Sequence, residues 1–347
     1  LIVQDQITNI LQYIDKIKLE YQSLLSFKVD LKDFANYWRE VLSNLWLLYY
    51  DYLDEDDSIC LKLTYYCYLI YSALIDADKY DAAEVDELER LRIPADLVDR
   101  YIASEFPISR NYIEEMRKEI YEKVTNKILR VPLENRLYTL TAPTGTGKTF
   151  TSFSAALKLR QRIENEKGYS PRIIYALPFT SVIDQNHKEI EKVLKCLPDY
   201  TERQNRYLIK HHHLADLRYL YNSQEEELNR GLLRIESWEA EIIVTTFIQL
   251  FYSIVGYQNS FLKKFHNLSG SIILLDEVQN IDVEYWPLVR HALLLLAEVM
   301  GCYIILLTAT KPLIFENGET IELLDNHKKY FEDEKLNRVL LYPNIMH

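Results

Sequence analysis

The chain has 347 residues, 48% of them hydrophobic, and its 40 Lys and Arg stand against 52 Asp and Glu for a formal net charge of -12. That length accommodates two domains with buried cores, and the apolar content is that of a globular protein and not of a disordered one. The acidic balance excludes indiscriminate coating of a polyanion, so a nucleic-acid partner has to be gripped by a local basic or backbone-amide track.

From residue 1 to about residue 130, apolar side chains recur at three and four, as in Ile7, Ile10, Leu11, Ile14 and Ile17, and glycine is absent. This predicts packed helices. Asp54-Glu55-Asp56-Asp57 reads as a solvated connection or cap, and Pro94 and Pro107 as helix starts or breaks. The four cysteines, Cys60, Cys67, Cys196 and Cys302, show no C-x-x-C spacing, which suits reduced thiols and a cytoplasmic location. Apolar runs such as Ala292 to Ala297 are too short to span a bilayer, so no membrane partner is expected. With Leu1-Ile2-Val3 at its start, the chain reads as a soluble piece of a longer polypeptide.

Near Arg130-Val131-Pro132 the pattern changes. Short apolar runs, Leu137–Leu140, Ile173–Leu177, Ile242–Thr245, Ile272–Leu275 and Tyr303–Leu307, now alternate with helical periodicity. Such runs predict a parallel sheet covered on both faces, with ligands gathered at the carboxyl ends of its strands. Residues 195 to 235, with Glu225-Glu226-Glu227 in the middle, read as an insertion or long helical excursion.

Ala142-Pro143-Thr144-Gly145-Thr146-Gly147-Lys148-Thr149 follows the first of these strands and opens a helix. Strand, glycine loop and helix N-terminus form a phosphate cradle: backbone N–H groups close around a β-phosphate, Lys148 reaches the β/γ-phosphates and the Thr149 hydroxyl can ligate Mg²⁺. Thr144 to Thr149 are therefore the expected nucleotide-binding residues. Ala142 stands where the general pattern has Gly, which points away from kinases and small GTPases toward helicase-type loops. Asp276-Glu277-Val278-Gln279 sits at the end of a later strand; Asp276 is placed on the metal and Glu277 as general base toward the attacking water. Thr308-Ala309-Thr310 ends the next strand, where its hydroxyls can bond the acid pair and couple nucleotide state to a second domain.

These motifs, with Pro178-Phe179-Thr180-Ser181-Val182-Ile183-Asp184-Gln185, resemble the first RecA-like domain of superfamily 2 helicases. The last run, with Lys210-His211-His212-His213-Leu214-Ala215-Asp216 and Thr246-Phe247-Ile248-Gln249-Leu250, is similar to the CRISPR-associated helicase-nucleases of type I interference. The resemblance covers about residues 110 to 347. It implies an α/β RecA-like P-loop domain over 109–347, preceded over 1–108 by the end of an all-helical HD-type nuclease domain. It also implies ATP and Mg²⁺, translocation on single-stranded DNA, and recruitment by an RNA-guided surveillance complex. Pro178, Phe179, Thr180, Thr246, Thr308 and Thr310 are placed at the nucleic acid, and Gln279, where the family often has His, joins Lys148, Asp276 and Glu277 as a catalytic residue that couples ATP to DNA.

In the HD-like stretch, Ser72-Ala73-Leu74-Ile75-Asp76-Ala77-Asp78 is similar to the segment that supplies the last ligand of a divalent transition metal, placed at Asp78 with Asp76 as the other register. All eight histidines lie at 187 or later, so a whole HD site is not expected in this chain. The His211-His212-His213 run is read as structural or DNA-proximal, because consecutive residues do not converge on one centre. No Q-x-x-G-R-x-x-R pattern follows Thr310, so the chain is expected to bind nucleotide better than it turns it over. Two other readings stay open: a superfamily 2 translocase of repair or restriction, and a nucleotide-gated module that docks on a ribonucleoprotein without turnover.

Overall fold

A computed structural model describes residues 57–83, 89–107, 111–211, 233–256, 259–310, 314–316, 318–334 and 336. The helical pattern of residues 1–56, Asp54 to Asp56, His212 to Asp216 and the acidic run at Glu225 lie outside the described residues. The chain divides into two compact units, Leu1–Thr64 and Tyr65–His347. The second unit is built around a single sheet.

Seven strands form this parallel sheet: β1 Leu137–Thr141, β2 Ile173–Leu177, β3 Leu208–His211, β4 Ile242–Thr246, β5 Ile272–Asp276, β6 Tyr303–Thr308 and β7 Ile321–Glu322, in the spatial order β3-β4-β2-β5-β6-β1-β7. The five apolar runs read from the sequence are β1, β2, β4, β5 and β6. The two edge strands were not foreseen. β3 carries Lys210 and β7 is only two residues long, so neither shows the continuous apolar run of a strand buried on both faces.

Period-two alternation sends successive side chains to opposite faces of the sheet. Tyr138, Leu140, Tyr175, Val244, Leu274 and Ile305 enter one core, while Ile174, Ile243, Ile273, Leu275 and Ile304 enter the other. The first core is closed by α2 Leu97–Glu105, α3 Tyr112–Ile128, α4 Lys148–Lys167 and α5 Thr180–Leu194, through residues such as Val98, Val124, Leu157 and Ile190. The second is closed by α6 Phe247–Val255 and α7 Trp286–Glu298, through Leu250, Ile254, Leu293 and Leu296. A long helix, α1 Asp57–Ala82, adds Tyr65 to the second core and places the Ser72 and Asp76 side chains against the turn Phe265–Leu268 and Ser237. Pro94 precedes α2, whose first N–H, on Leu97, donates to the Pro94 carbonyl at 3.1 Å.

Parallel register brings the motif-bearing strand ends to one edge. Thr141 pairs with Thr308, Asp276 with Leu307 and Leu177 with Thr246. The phosphate loop, the acid pair and the two threonine motifs therefore share the carboxyl edge of the sheet.

Candidate active site

The loop between β1 and α4 is shaped by its glycines. Gly145 and Gly147 take φ of 80° and 83°, the left-handed region that costs an L side chain strain, and Gly147 is the N-cap of α4. Thr146 is buried and donates its hydroxyl to the Pro143 carbonyl at 2.6 Å, pinning the turn from inside. Lys148, buried at the start of α4, donates Nζ to the Ala142 carbonyl at 3.0 Å and stands 3.7 Å from Glu277 Oε1. The ammonium thus lies between the loop and the acid pair. Thr149 donates Oγ1–H to Asn186 Oδ1 on α5 at 3.2 Å, while Thr144 is exposed on the rim.

Two further residues brace this loop. Glu322 on β7 accepts from Thr139 Oγ1 at 3.0 Å, from the Thr141 backbone N–H at 3.0 Å and from Thr141 Oγ1 at 2.7 Å, which secures the end of β1 just before Ala142. On the other side, Arg117 of α3 donates Nε and Nη2 to the Gly145 carbonyl at 3.0 and 2.8 Å.

Asp276 ends β5 and is buried. Its Oδ2 accepts from the Tyr175 phenol of β2 at 2.8 Å, whereas its Oδ1 has no hydrogen-bond partner among the described residues. Burial pushes its pKa up to about 6; the Tyr175 hydrogen bond and Lys148 oppose that rise, and the neighbouring Glu277 adds to it. The Thr149 and Ser152 hydroxyls also face the Tyr175 phenol, which joins the start of α4 to the acid strand. A buried carboxylate oxygen without a partner, beside Thr149, is the donor chemistry of a hard divalent cation. The residues present fit Mg²⁺.

Glu277 takes φ 56° and ψ 43°, left-handed values that cost a non-glycine residue on the order of 1 kcal/mol. The strained turn ends the strand and presents Glu277 to Lys148. Gln279 donates Nε2–H to Glu277 Oε2, and its Oε1 accepts from the Thr308 hydroxyl at 2.8 Å. Thr308 is buried, accepts the Thr310 backbone N–H at 3.0 Å and also reaches the Thr310 carbonyl. A continuous chain of polar contacts runs from Lys148 through Glu277, Gln279 and Thr308 to Thr310, which is exposed.

The residues placed at the nucleic acid fall into two groups. Pro178 is half-buried, while Phe179 and Thr180 are exposed where β2 passes into α5. Thr246, by contrast, is buried and caps α6, its Oγ1 accepting the Gln249 N–H at 3.1 Å. His211 is buried at the end of β3 with its ring edge toward Trp238. On α1, Asp78 is exposed, while Asp76 accepts from Ser237 Oγ and faces His266 Nε2 at 3.4 Å. No group of three or more His, Cys, Asp or Glu among the described residues is arranged to hold a metal. No described helix is long and apolar enough to cross a membrane.

Sequence reasoning did not find Tyr175, Asn186, Glu322 or Arg117. Tyr175 left one mark, a phenol amid the aliphatic residues of a buried strand. Asn186 directly follows the run of residues 178–185 but carried no signal of its own, and Glu322 and Arg117 belong to elements away from the motifs in sequence.

An α/β unit with a phosphate loop, an acid pair and a threonine motif on one sheet edge has the RecA-like fold. The DEAD/DEAH box helicase family matches residues 118–316, more than half of the chain, and the chain belongs to that family. The CRISPR-associated nuclease/helicase Cas3 of Haloferax volcanii is 35% identical to it over 194 residues, 54% of this chain and 20% of that protein. The chain thus spans about a fifth of the length of that relative. Among solved structures, T. fusca Cas3 is 18% identical with a TM-score of 0.47, over 68% of this chain and 24% of that one. T. fusca Cas3 with ADP is 19% identical with a TM-score of 0.44, over 68% and 24%. The DUF1998 helicase MrfA bound to DNA is 14% identical with a TM-score of 0.42, over 69% and 31%.

Proposed function

We propose that this chain is the ATP-binding half of a Cas3-type DNA motor, which couples ATP hydrolysis to movement along single-stranded DNA in CRISPR interference. The observation that carries this reading is the contact path from Lys148 through Glu277 and Gln279 to the Thr308 motif. It joins the nucleotide loop to the edge from which a motor must act on its track.

Each residue has a definable task. The loop amides and Lys148 hold the β/γ-phosphates, so that Lys148 turns from the Ala142 carbonyl and Glu277 toward the nucleotide. Glu277, released from that ammonium, accepts a proton from the attacking water. Thr149 and Asp276 are the residues that would hold Mg²⁺, which when bound offsets negative charge shared by the β- and γ-phosphates. Gln279 reports the protonation and position of Glu277 to Thr308. Phe179 and Thr180, with the α5 N-terminus behind them, grip the DNA backbone without reading bases, as a motor on arbitrary sequence requires.

The finer reading extends to the whole protein. The helical region up to residue 108 is the end of an HD-type nuclease domain, and Asp78 is its ligand to a divalent transition metal. Its exposure supports Asp78 over Asp76, whose carboxylate is engaged with Ser237 and His266. The partners are single-stranded DNA and an RNA-guided surveillance complex, and the location is cytoplasmic, in keeping with the free thiols of Cys67, Cys196 and Cys302.

Two substitutions in the full-length protein test the reading. Glu277→Gln is expected to retain ATP and lower DNA-stimulated hydrolysis by about 10²–10⁴-fold, the usual contribution of a general base. Lys148→Ala is expected to abolish or severely weaken fluorescent-ATP binding. Full turnover by a folded Glu277→Gln protein would remove Glu277 from the chemistry, and unchanged ATP affinity in Lys148→Ala would remove the phosphate loop.

A further inference from the structure

Arg117 lies in the second turn of α3, outside every motif of the chain, yet its guanidinium is directed at the phosphate loop. Nε and Nη2 both donate to the single carbonyl of Gly145, at 3.0 and 2.8 Å. Arg117 is in no ion pair among the described residues, so the loop carbonyl holds a cation that would otherwise be free in solvent. Its stem also covers the loop: a Cβ at Gly147 would stand 3.7 Å from Arg117 Cγ and 3.9 Å from Cδ.

The carbonyl that Arg117 holds belongs to the peptide joining Gly145 to Thr146. That peptide is trans, as are all among the described residues, so its C=O and N–H point in opposite directions. With the Gly145 oxygen drawn outward to α3, the Thr146 N–H is turned inward. Thr146 is fully buried, and its N–H donates to no backbone acceptor among the described residues. A buried N–H without an acceptor is costly unless an anion or water takes it. Gly145, at positive φ and without a Cβ, offers little steric resistance to rotation on its side of this peptide. The Thr146 hydroxyl bond to Pro143 holds the turn from inside, and Arg117 holds the Gly145 carbonyl from outside.

We propose that Arg117 is a positioning residue for nucleotide binding, which holds the Gly145–Thr146 peptide so that the Thr146 N–H faces the β-phosphate. This rests on the phosphate-loop reading above and adds to it a residue from outside the loop. Because the β-phosphate is common to ATP and ADP, the effect is on both nucleotides alike. A direct contact from Arg117 to the γ-phosphate would instead act on ATP alone.

The test titrates mant-ATP and mant-ADP into the full-length protein and its Arg117→Ala, Arg117→Lys and Lys148→Ala variants, with melting temperatures measured without nucleotide. Arg117→Ala is expected to weaken both nucleotides by about tenfold, the scale of one charge-assisted hydrogen bond. Arg117→Lys, which offers one point donor in place of the fork, is expected to recover part of that loss. The melting temperature of both stays near that of the parent, because the side chain is exposed. Unchanged affinities in both Arg117 variants, with binding lost in Lys148→Ala, overturn the role of Arg117 and leave the loop reading standing. A loss confined to mant-ATP overturns the positioning role in favour of a γ-phosphate contact. Binding that survives Lys148→Ala overturns the phosphate-loop reading itself.

Discussion

Asp276 takes a carboxyl group into the interior at the end of β5, with one oxygen satisfied by Tyr175 and the other by nothing described. Its pKa is raised by burial from 3.8 to about 6. An acid that binds its proton more tightly when folded contributes most to stability in acid, and that contribution is lost as pH climbs from 3.8 through about 6. At neutral pH Asp276 is therefore a buried charge with one unpaired oxygen, which the divalent cation proposed there would relieve. Asp276→Asn removes the charge and keeps an acceptor for Tyr175, at the cost of one unpaired amide N–H. We expect the variant to be more stable than the parent at pH 7.5 by roughly 1–2 kcal/mol, with the gain gone at pH 4. It should also lose Mg²⁺-dependent ATP binding. Urea unfolding at the two pH values, beside nucleotide titration with and without Mg²⁺, checks both parts. Equal stabilities at pH 7.5 would show that burial does not strain the carboxylate.

Among the elements, α1 is fastened to the RecA-like unit by a small polar cluster. Ser72 Oγ accepts the His266 backbone N–H at 2.9 Å, so its own proton goes to His266 Nδ1 at 3.0 Å. This selects the tautomer with the proton on Nε2, which faces Asp76 at 3.4 Å. Burial, seconded by Arg172, lowers the His266 pKa to about 4. A histidine kept neutral by the fold contributes its full stability above its unfolded pKa of 6.5 and loses it as pH falls toward about 4. His266→Gln is expected to cost stability at pH 7.5 and to flatten the acid limb of the stability curve by roughly 2 kcal/mol. Asp276 tilts the same window in the opposite direction, so the comparison is best made in an Asp276→Asn background. Parallel pH curves for the two proteins would show that His266 titrates alike in the folded and unfolded chain.

At the scale of the whole molecule, the parallel sheet gathers the phosphate loop and the residues proposed at the nucleic acid on one edge and still keeps them apart. Phe179 and Thr180 are exposed beyond β2, whereas Lys148, Asp276 and Thr308 are buried behind them. Phe179 is 55% exposed, so truncating it removes little core packing. Phe179→Ala combined with Thr180→Ala is expected to raise the Kd for single-stranded DNA by about tenfold, on the scale of one lost aromatic stack, while ATP affinity stays within about twofold. Fluorescence anisotropy with a labelled oligonucleotide, beside mant-ATP titration, reads both. Undiminished DNA affinity would place the track elsewhere on the edge.

The amino-acid sequence by itself located the loop and the acid pair at their strand ends, because each is a run of particular residue types at fixed spacing along one turn. It also determined the five central strands, whose burial on both faces favours near-continuous runs rich in Ile, Leu and Val. The edge strands β3 and β7 escaped notice because an edge need not be apolar, and Glu322 on β7 shows its purpose only where it meets Thr139 and Thr141. Asn111 caps α3 in the structure, its Oδ1 accepting the Glu114 N–H, but nothing in the sequence announces that Arg117 one turn later reaches Gly145. Tertiary structure decided these matters, along with the meeting of Tyr175 with Asp276 and of Gln279 with Thr308. Each depends on side chains from separate elements arriving within hydrogen-bonding distance. That arrival is set by sheet order and helix packing, which no local spacing encodes.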